Sequence, residues 1–214
     1  RHGKPIEINC VLTGANLDSF FDFARYINDN FGKHSMIMPF PVRPFVGIEN
    51  TGLFPSKEQV NRFAREIDAR YREFERVLPP LEYFHRLIDF LRHMKRGCRC
   101  SAAAFNYGVN PLLNTLLCAC SGHSVPSQNK KNIVDRNRPD ASPGPLIDKA
   151  RLRMDAYKQG CVDGRCATCF THYDVINLYI DGKIGLQDIR KVPAFTPPGA
   201  AELLETVKNQ LLLN

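Results

Sequence analysis

Residues 5–43 change hydrophobic period twice within one short stretch, and the second change ends among prolines. Ile6, Ile8 and Cys10 alternate with Glu7 and Asn9, which predicts a strand over residues 5–12 with one apolar face. Thr13 and Gly14 break it. Asn16 is placed to cap a helix and Asp18 to lie at its positive end, while Leu17, Phe20, Ala24, Ile27 and Phe31 form one stripe. Gly32 stops the helix, and residues 35–40 return as a strand. Pro39, Pro41 and Pro44 confine that strand to an extended, edge-like path. A helix with a single apolar stripe between two strands needs a sheet beneath it, so the chain is organised around a strand-helix-strand unit.

Beyond the corner, residues 45–54 carry Gly47 and Gly52 and no sustained period, the pattern of a loop. Ser56 followed by Glu58 and Gln59 opens a helix. Val60, Phe63, Ile67, Tyr71, Phe74 and Val77 give it a long apolar stripe, and Pro79-Pro80 ends it. Its Arg62, Arg65, Arg70, Arg72 and Arg76 suit phosphate contact or, equally, a solvated face, because Glu66, Asp68, Glu73 and Glu75 interleave with them. In residues 81–91, Tyr83, Leu87, Phe90 and Leu91 satisfy strand and helix spacing alike. Arg92, His93, Lys95, Arg96 and Arg99 follow as the densest basic cluster, the best local candidate for RNA backbone contact. Asn110-Pro111 opens a helix to Cys120 with Leu112, Leu113, Leu116 and Leu117 on its apolar face. Residues 124–145, rich in Ser, Pro, Asn and Lys, read as a linker, and residues 146–159 as a helix. A last helix follows Thr196-Pro197, with Ala200, Leu203, Leu204, Val207 and Leu211 on one side.

Three of these pieces, in this order, resemble the tenth protein of the small ribosomal subunit. They are the strand-helix-strand with its corner Pro39-Phe40-Pro41-Val42-Arg43, the run Arg86-Leu87-Ile88-Asp89, and the helix from Asn110 to Cys120 followed by Gly122 and Val125. The resemblance covers residues 4–128 with two insertions. It implies an α+β fold: a ferredoxin-like β-α-β core sheet with residues 81–91 as a further strand, a helical insertion where the family has a hairpin, and a mostly helical C-terminal extension. It divides the chain into residues 1–128, a linker 129–145 and an extension 146–214. The implied function is that of a structural constituent of the small-subunit head, and the added length implies a mitochondrial ribosome. Lys4, Lys33, Arg43, Arg86, Arg92, Lys95 and Arg96 would neutralise rRNA phosphates, and the extension would dock neighbouring ribosomal proteins. A protein of the same fold in the mitochondrial large subunit is the alternative. Residues 173–184 weakly resemble the helix-to-strand segment of another small-subunit family, the eighteenth protein.

Eight cysteines allow disulfides in an oxidising compartment, but Cys98/Cys100 and Cys118/Cys120 sit too close for ordinary bridging within each pair. Such clustering favours metal or reduced thiols. Cys161, Cys166, Cys169 and His172 supply three thiolates and an imidazole, a complete tetrahedral set for zinc. The same cysteine spacing resembles the loop of plant-type ferredoxins, so an iron-sulfur cluster is the second reading, and buried reduced cysteines without metal the third. Cys98, Cys100, Cys118, Cys120 and His123 form a less specific second set. A free-standing zinc or iron-sulfur module is therefore the alternative of a different class.

The net charge of +7 and pI near 9.0 favour a polyanionic partner. No apolar run approaches membrane-spanning length, and the N-terminal RHGKPIEIN carries neither a signal-peptide core nor a transit segment. No nucleophile loop surrounds the cysteines beside His123 and His172, and there is no phosphate-binding glycine loop. Asp18, Asp22 and Asp89 form no evident catalytic pair. The expectation is a non-enzymatic protein without a small-molecule substrate.

Overall fold

The computed structural model describes residues 5–42, 51–97, 100, 108–109, 115–116 and 169–212. The chain divides into two units, one made of Arg1–Gly97 with Phe170–Asn214 and the other of Cys98–Cys169. The expected boundaries after residues 128 and 145 both fall inside the second unit, outside the described residues.

The first unit mixes helix and strand. Strand β1 (Ile6–Leu12), helix α1 (Phe20–Asn30) and strand β2 (Ser35–Pro41) follow in the expected order. The two strands pair directly and in parallel, from Ile6 opposite Ser35 to Leu12 opposite Pro41. The prolines of β2 are tolerated because of their parity. The Ile37 N–H donates outward to the Val77 carbonyl at 2.7 Å, and the Pro39 carbonyl accepts from the Tyr83 hydroxyl at 2.7 Å, so odd-numbered groups face away from β1. Val42, of the other parity, donates to the Leu12 carbonyl at 3.0 Å. Pro39 and Pro41 thus withhold donors only on the outer side, and the ladder with β1 loses nothing.

Leu17, Phe20, Ala24 and Ile27 are buried as their stripe predicts. Each such side chain contributes roughly 1.5–3 kcal/mol relative to exposure, alanine less. Phe31, expected on that stripe, is instead half exposed: α1 ends at Asn30, so residue 31 leaves the helical period and stacks edge-on against Tyr26 with ring centres 6.2 Å apart. Asn16 does not cap the helix. Its Oδ1 accepts from the Thr13 N–H at 2.8 Å and its Nδ2 donates to the Val11 carbonyl at 2.8 Å, which closes the turn leaving β1.

Helix α2 (Lys57–Phe74) begins with the expected capping box, Ser56 and Gln59 each accepting from the other's backbone N–H. Gln59 Nε2 also donates to the Gly14 carbonyl at 2.7 Å, so the start of α2 braces the turn after β1. Phe63 lies edge-on to Phe20 at 5.4 Å and to Phe84 at 6.3 Å, joining α1, α2 and the next helix in one aromatic cluster.

Helix α3 (Leu81–His93) corrects the strand implied by the resemblance. Tyr83, Phe84, Leu87, Ile88, Phe90 and Leu91 are all buried, a helical rather than alternating set. The outer edge of β2, where a further strand would add, is already occupied by the Val77 carbonyl and the Tyr83 hydroxyl. Met94 ends α3 in the left-handed conformation (φ 49°), its N–H returning to the Phe90 carbonyl at 2.7 Å.

The chain re-enters this unit at Phe170 and forms α4 (Asp174–Ile180), α5 (Leu186–Lys191) and α6 (Ala200–Leu212). Residues 173–184 therefore give the expected helix but no strand after it: Gly182, with φ at 68°, turns the chain towards α5. On α6, Leu204 is buried as expected, with Ala201 beside it. Among the described residues no helix is long and apolar enough to cross a membrane.

In the second unit, β3 (Gly108–Val109) pairs antiparallel with β4 (Thr115–Leu116). Thr115 and Leu116 are therefore extended, which corrects the helix expected over residues 110–120. Asn110-Pro111 suits a connection between strands as well as a helix start. The expected linker and the helix over residues 146–159 lie outside the described residues.

Candidate nucleic-acid interface

The basic residues expected to meet RNA fall into two groups. Arg86 and Arg96, on α3 and just beyond it, are directed into the protein. The left-handed Met94 turns the chain so that Arg96 reaches the start of α4, where its Nη1 and Nη2 lie 2.5 and 3.1 Å from the two oxygens of Asp174. The pair is sealed: the Arg96 side chain is 5% exposed and that of Asp174 1%. Asp174 also accepts from the Thr171 N–H and from Asn177 Nδ2, each at 2.8 Å. A guanidinium, a backbone amide and a side-chain amide thus converge on one carboxylate, which is what a buried charge requires. Arg86 Nη2 meets Asp181 at 2.7 Å at the other end of α4. α4 is held at both ends by arginines of one segment.

Tyr83 completes this clasp. It is fully buried, its ring 5.4 Å from Phe170, and its hydroxyl lies 2.7 Å from the Pro39 carbonyl and 3.4 Å from that of Thr171. Burial first, then the nearby Asp174 and Glu7, push its phenol well above the ordinary range, so it stays a donor.

The second group stays in water. Arg92 is exposed and donates to Asn61 of α2 at 3.3 Å, and Lys95 is exposed beyond it. Arg65 lies one turn after Asn61 on the same face of α2, also exposed. Arg65, Arg92 and Lys95 are the cations of this surface most available to a phosphate. His85 with Asp68 at 3.4 Å and His93 with Asp89 at 3.5 Å flank them. Lys4 and Arg43 lie outside the described residues, as does the side chain of Lys33.

Three of the other arginines in and just after α2 turn to neighbouring elements. Arg62 pairs with Asp18 at 2.9 Å, Arg76 donates to Asn28 at 3.1 Å, and Arg70 stacks over the Phe21 ring at 4.6 Å. Asp18 thereby ties α2 to the turn before α1, its carboxyl held below the usual range by hydrogen bonds from Gln59 and then Arg62. Sequence spacing carries no sign of the Arg70 stack or of the Arg96 and Arg86 pairs, because their partners come from other elements, in the last two cases beyond the second unit.

Asp22 sits 3.7 Å from Arg25 and Asp89 3.5 Å from His93, so these acids, like Asp18 with Arg62, each have a partner of their own. A cleft of about 680 Å³ lined by Tyr71, Glu75, Arg76, Glu82, Asp188 and Lys191 among others mixes both signs of charge. Tyr71 donates to the Pro79 carbonyl at 3.1 Å; burial, then Glu75, Glu82 and Asp188, push its phenol up to about 12.

Of the expected metal ligands, Cys161 and Cys166 lie outside the described residues. Cys169 and His172 are each half-buried, and the His172 ring lies 3.9 Å from that of Tyr173. Among the described residues no three His, Cys, Asp or Glu side chains gather as a cation site. Compared with protein-family models, with curated proteins and with solved structures, the chain matches none.

Proposed function

We propose that this protein is a structural, non-catalytic constituent of a mitochondrial ribosome, binding rRNA and neighbouring proteins in the head of the small subunit. The observation that carries the reading is the β1-α1-β2 unit, whose second strand runs into Pro39 and Pro41 in the order that the resemblance implies. A complete ferredoxin-like core splits its parallel strands with another between them. Here β1 pairs directly with β2, so the reading keeps the β-α-β half alone. Arg92 and Lys95 remain for phosphate, joined by Arg65, whereas Arg86 and Arg96 spend their charge on Asp181 and Asp174. The zinc reading rests on the spacing of Cys161, Cys166, Cys169 and His172 and is tested by metal analysis of the purified chain.

RNA binding is tested by its salt dependence. Each lost phosphate contact lowers the slope of log K against log salt by about 0.7 to 0.9. Changing both Arg92 and Lys95 to Gln should lower it by about twice that, with the same loss on unrelated RNA sequences. An unchanged slope would remove these two residues from the interface.

A further inference from the structure

Strand β1 pairs with β2 along one edge, and among the described residues no strand pairs with the other. The Leu12 carbonyl accepts from Val42, just beyond β2, so the even-numbered backbone groups of β1 face β2 and those of Glu7, Asn9 and Val11 face away. Among the described residues one of these outward groups is engaged, the Val11 carbonyl, which accepts from Asn16 Nδ2 at 2.8 Å. The two edges of the sheet therefore differ. β2 closes its outer side with Pro39, Pro41, the Val77 carbonyl and the Tyr83 hydroxyl. β1 has no proline or lysine between Ile6 and Leu12 and runs in register without a bulge, so it lacks the devices that keep an edge from pairing. Pro5, which has no N–H, and the turn held by Asn16 limit the open stretch to residues 7–11.

The side chains along this edge are two-faced. Ile8 and Cys10 are half-buried and Ile6 is 54% exposed on one side, with the half-buried Glu7, the exposed Asn9 and Val11 on the other. A strand laid here covers the first side only if its own residues are apolar at alternate positions. Glu7 sets the charge. No ion pair reaches it among the described residues, and burial pushes its carboxyl up, so it has lost water without gaining a cation. A second copy of β1 would not supply one, because Ile6–Leu12 contains no basic residue and two chains of net charge +7 repel. We propose that the free edge of β1, at residues 7–11, docks an extended segment of a partner protein, apolar at alternate positions and carrying a lysine or arginine across from Glu7. Backbone pairing supplies the affinity, and the alternation and the cation supply the selectivity. The site is built on one strand and stands whether or not the ribosomal reading does.

The probe is a displayed library of random short peptides, selected on the full chain. The peptides recovered should alternate apolar and polar residues and carry Lys or Arg at a polar position. A bound peptide should slow amide exchange at Glu7, Asn9 and Val11 and change Ile8 and Cys10 little, because those amides already face β2. Asn9→Pro removes an outward donor and spares the ladder with β2, by the parity that admits Pro39, and should abolish binding while the circular dichroism spectrum keeps its form. Glu7→Lys keeps every backbone group and should reverse the selection towards peptides with Asp or Glu. Recovery of no peptide, peptides without alternation or a basic residue, unchanged selection on Glu7→Lys, or slowed exchange elsewhere than β1 would overturn the proposal. So would a dimer in sedimentation equilibrium that Asn9→Pro dissolves, since the edge would then belong to a second copy.

Discussion

Replacing Asp174 with Asn should destabilise the first unit far more than breaking any exposed ion pair in it. Asp174 is 1% exposed and its carboxylate carries both ends of the Arg96 guanidinium, the Thr171 N–H and the Asn177 amide. An asparagine of nearly the same shape offers one acceptor oxygen where two are used, turns an amide donor towards other donors, and takes the Asp174 charge away from the buried Arg96. Breaking a buried pair in this way costs about 3–5 kcal/mol, a large part of the roughly 5–15 kcal/mol that keeps a domain folded. The assay is urea unfolding followed by circular dichroism at fixed pH. Arg96→Met should cost a similar amount, because it strands the carboxylate. Combining Arg96→Met with Asp174→Leu in one chain should recover only part of either loss, since the two desolvated charges leave together while the Thr171 N–H and the Asn177 amide lose the Asp174 acceptor. Glu202→Gln serves as the control, because its pair with Arg190 is exposed at 44% and 59% and solvent screens it. If Asp174→Asn cost no more than this control, the clasp would not be what holds α4 to α3.

Three further outcomes follow from the geometry. Tyr83→Phe should cost about 1–3 kcal/mol in the same urea assay, because the Pro39 carbonyl loses its partner in a fully buried site. Gly14→Ala should cost about 1–3 kcal/mol, since a Cβ there would stand 3.0 Å from the Phe54 carbonyl oxygen, a backbone atom that cannot move aside cheaply. For Asp18 the folded pKa lies below its ordinary 3.8, so its contribution to stability is present above that value and is lost as pH falls through the lower folded one. Carbon NMR titration should show this depression, and either Gln59→Ala or Arg62→Ala should move the midpoint back towards 3.8.

Local pattern is enough wherever an element's fate depends on its own residues. The strand at β1, the stripe on α1 and the box at Ser56 and Gln59 can all be read directly, and the structure has them, although Ile6 at the start of β1 is exposed rather than on an inner face. Asn16 defeats such a reading because the same side chain that caps a helix also closes a turn, and only the position of Thr13 and Val11 decides which. Residues 81–93 are ambiguous by period, and the resemblance tips them towards a strand. What decides for helix is non-local: β2's outer edge is taken by Val77 and Tyr83, and the aromatic cluster needs Phe84 beside Phe20 and Phe63. The arginines show the same limit. A dense run of cations at 92–99 reads as one surface, yet Arg96 belongs to a carboxylate 78 residues further on. A short window along the chain never contains both.

Membership of the ribosome is tested most directly by sedimentation. The tagged chain, in a mitochondrial lysate, is run through a density gradient at moderate and at high salt, and the fractions are probed for each rRNA. Salt-resistant travel with the small-subunit rRNA is the predicted result. Travel with the large-subunit rRNA would move the protein to the other subunit, and a peak at the top of the gradient at both salts would contradict the ribosomal reading and leave a free-standing metal module in its place.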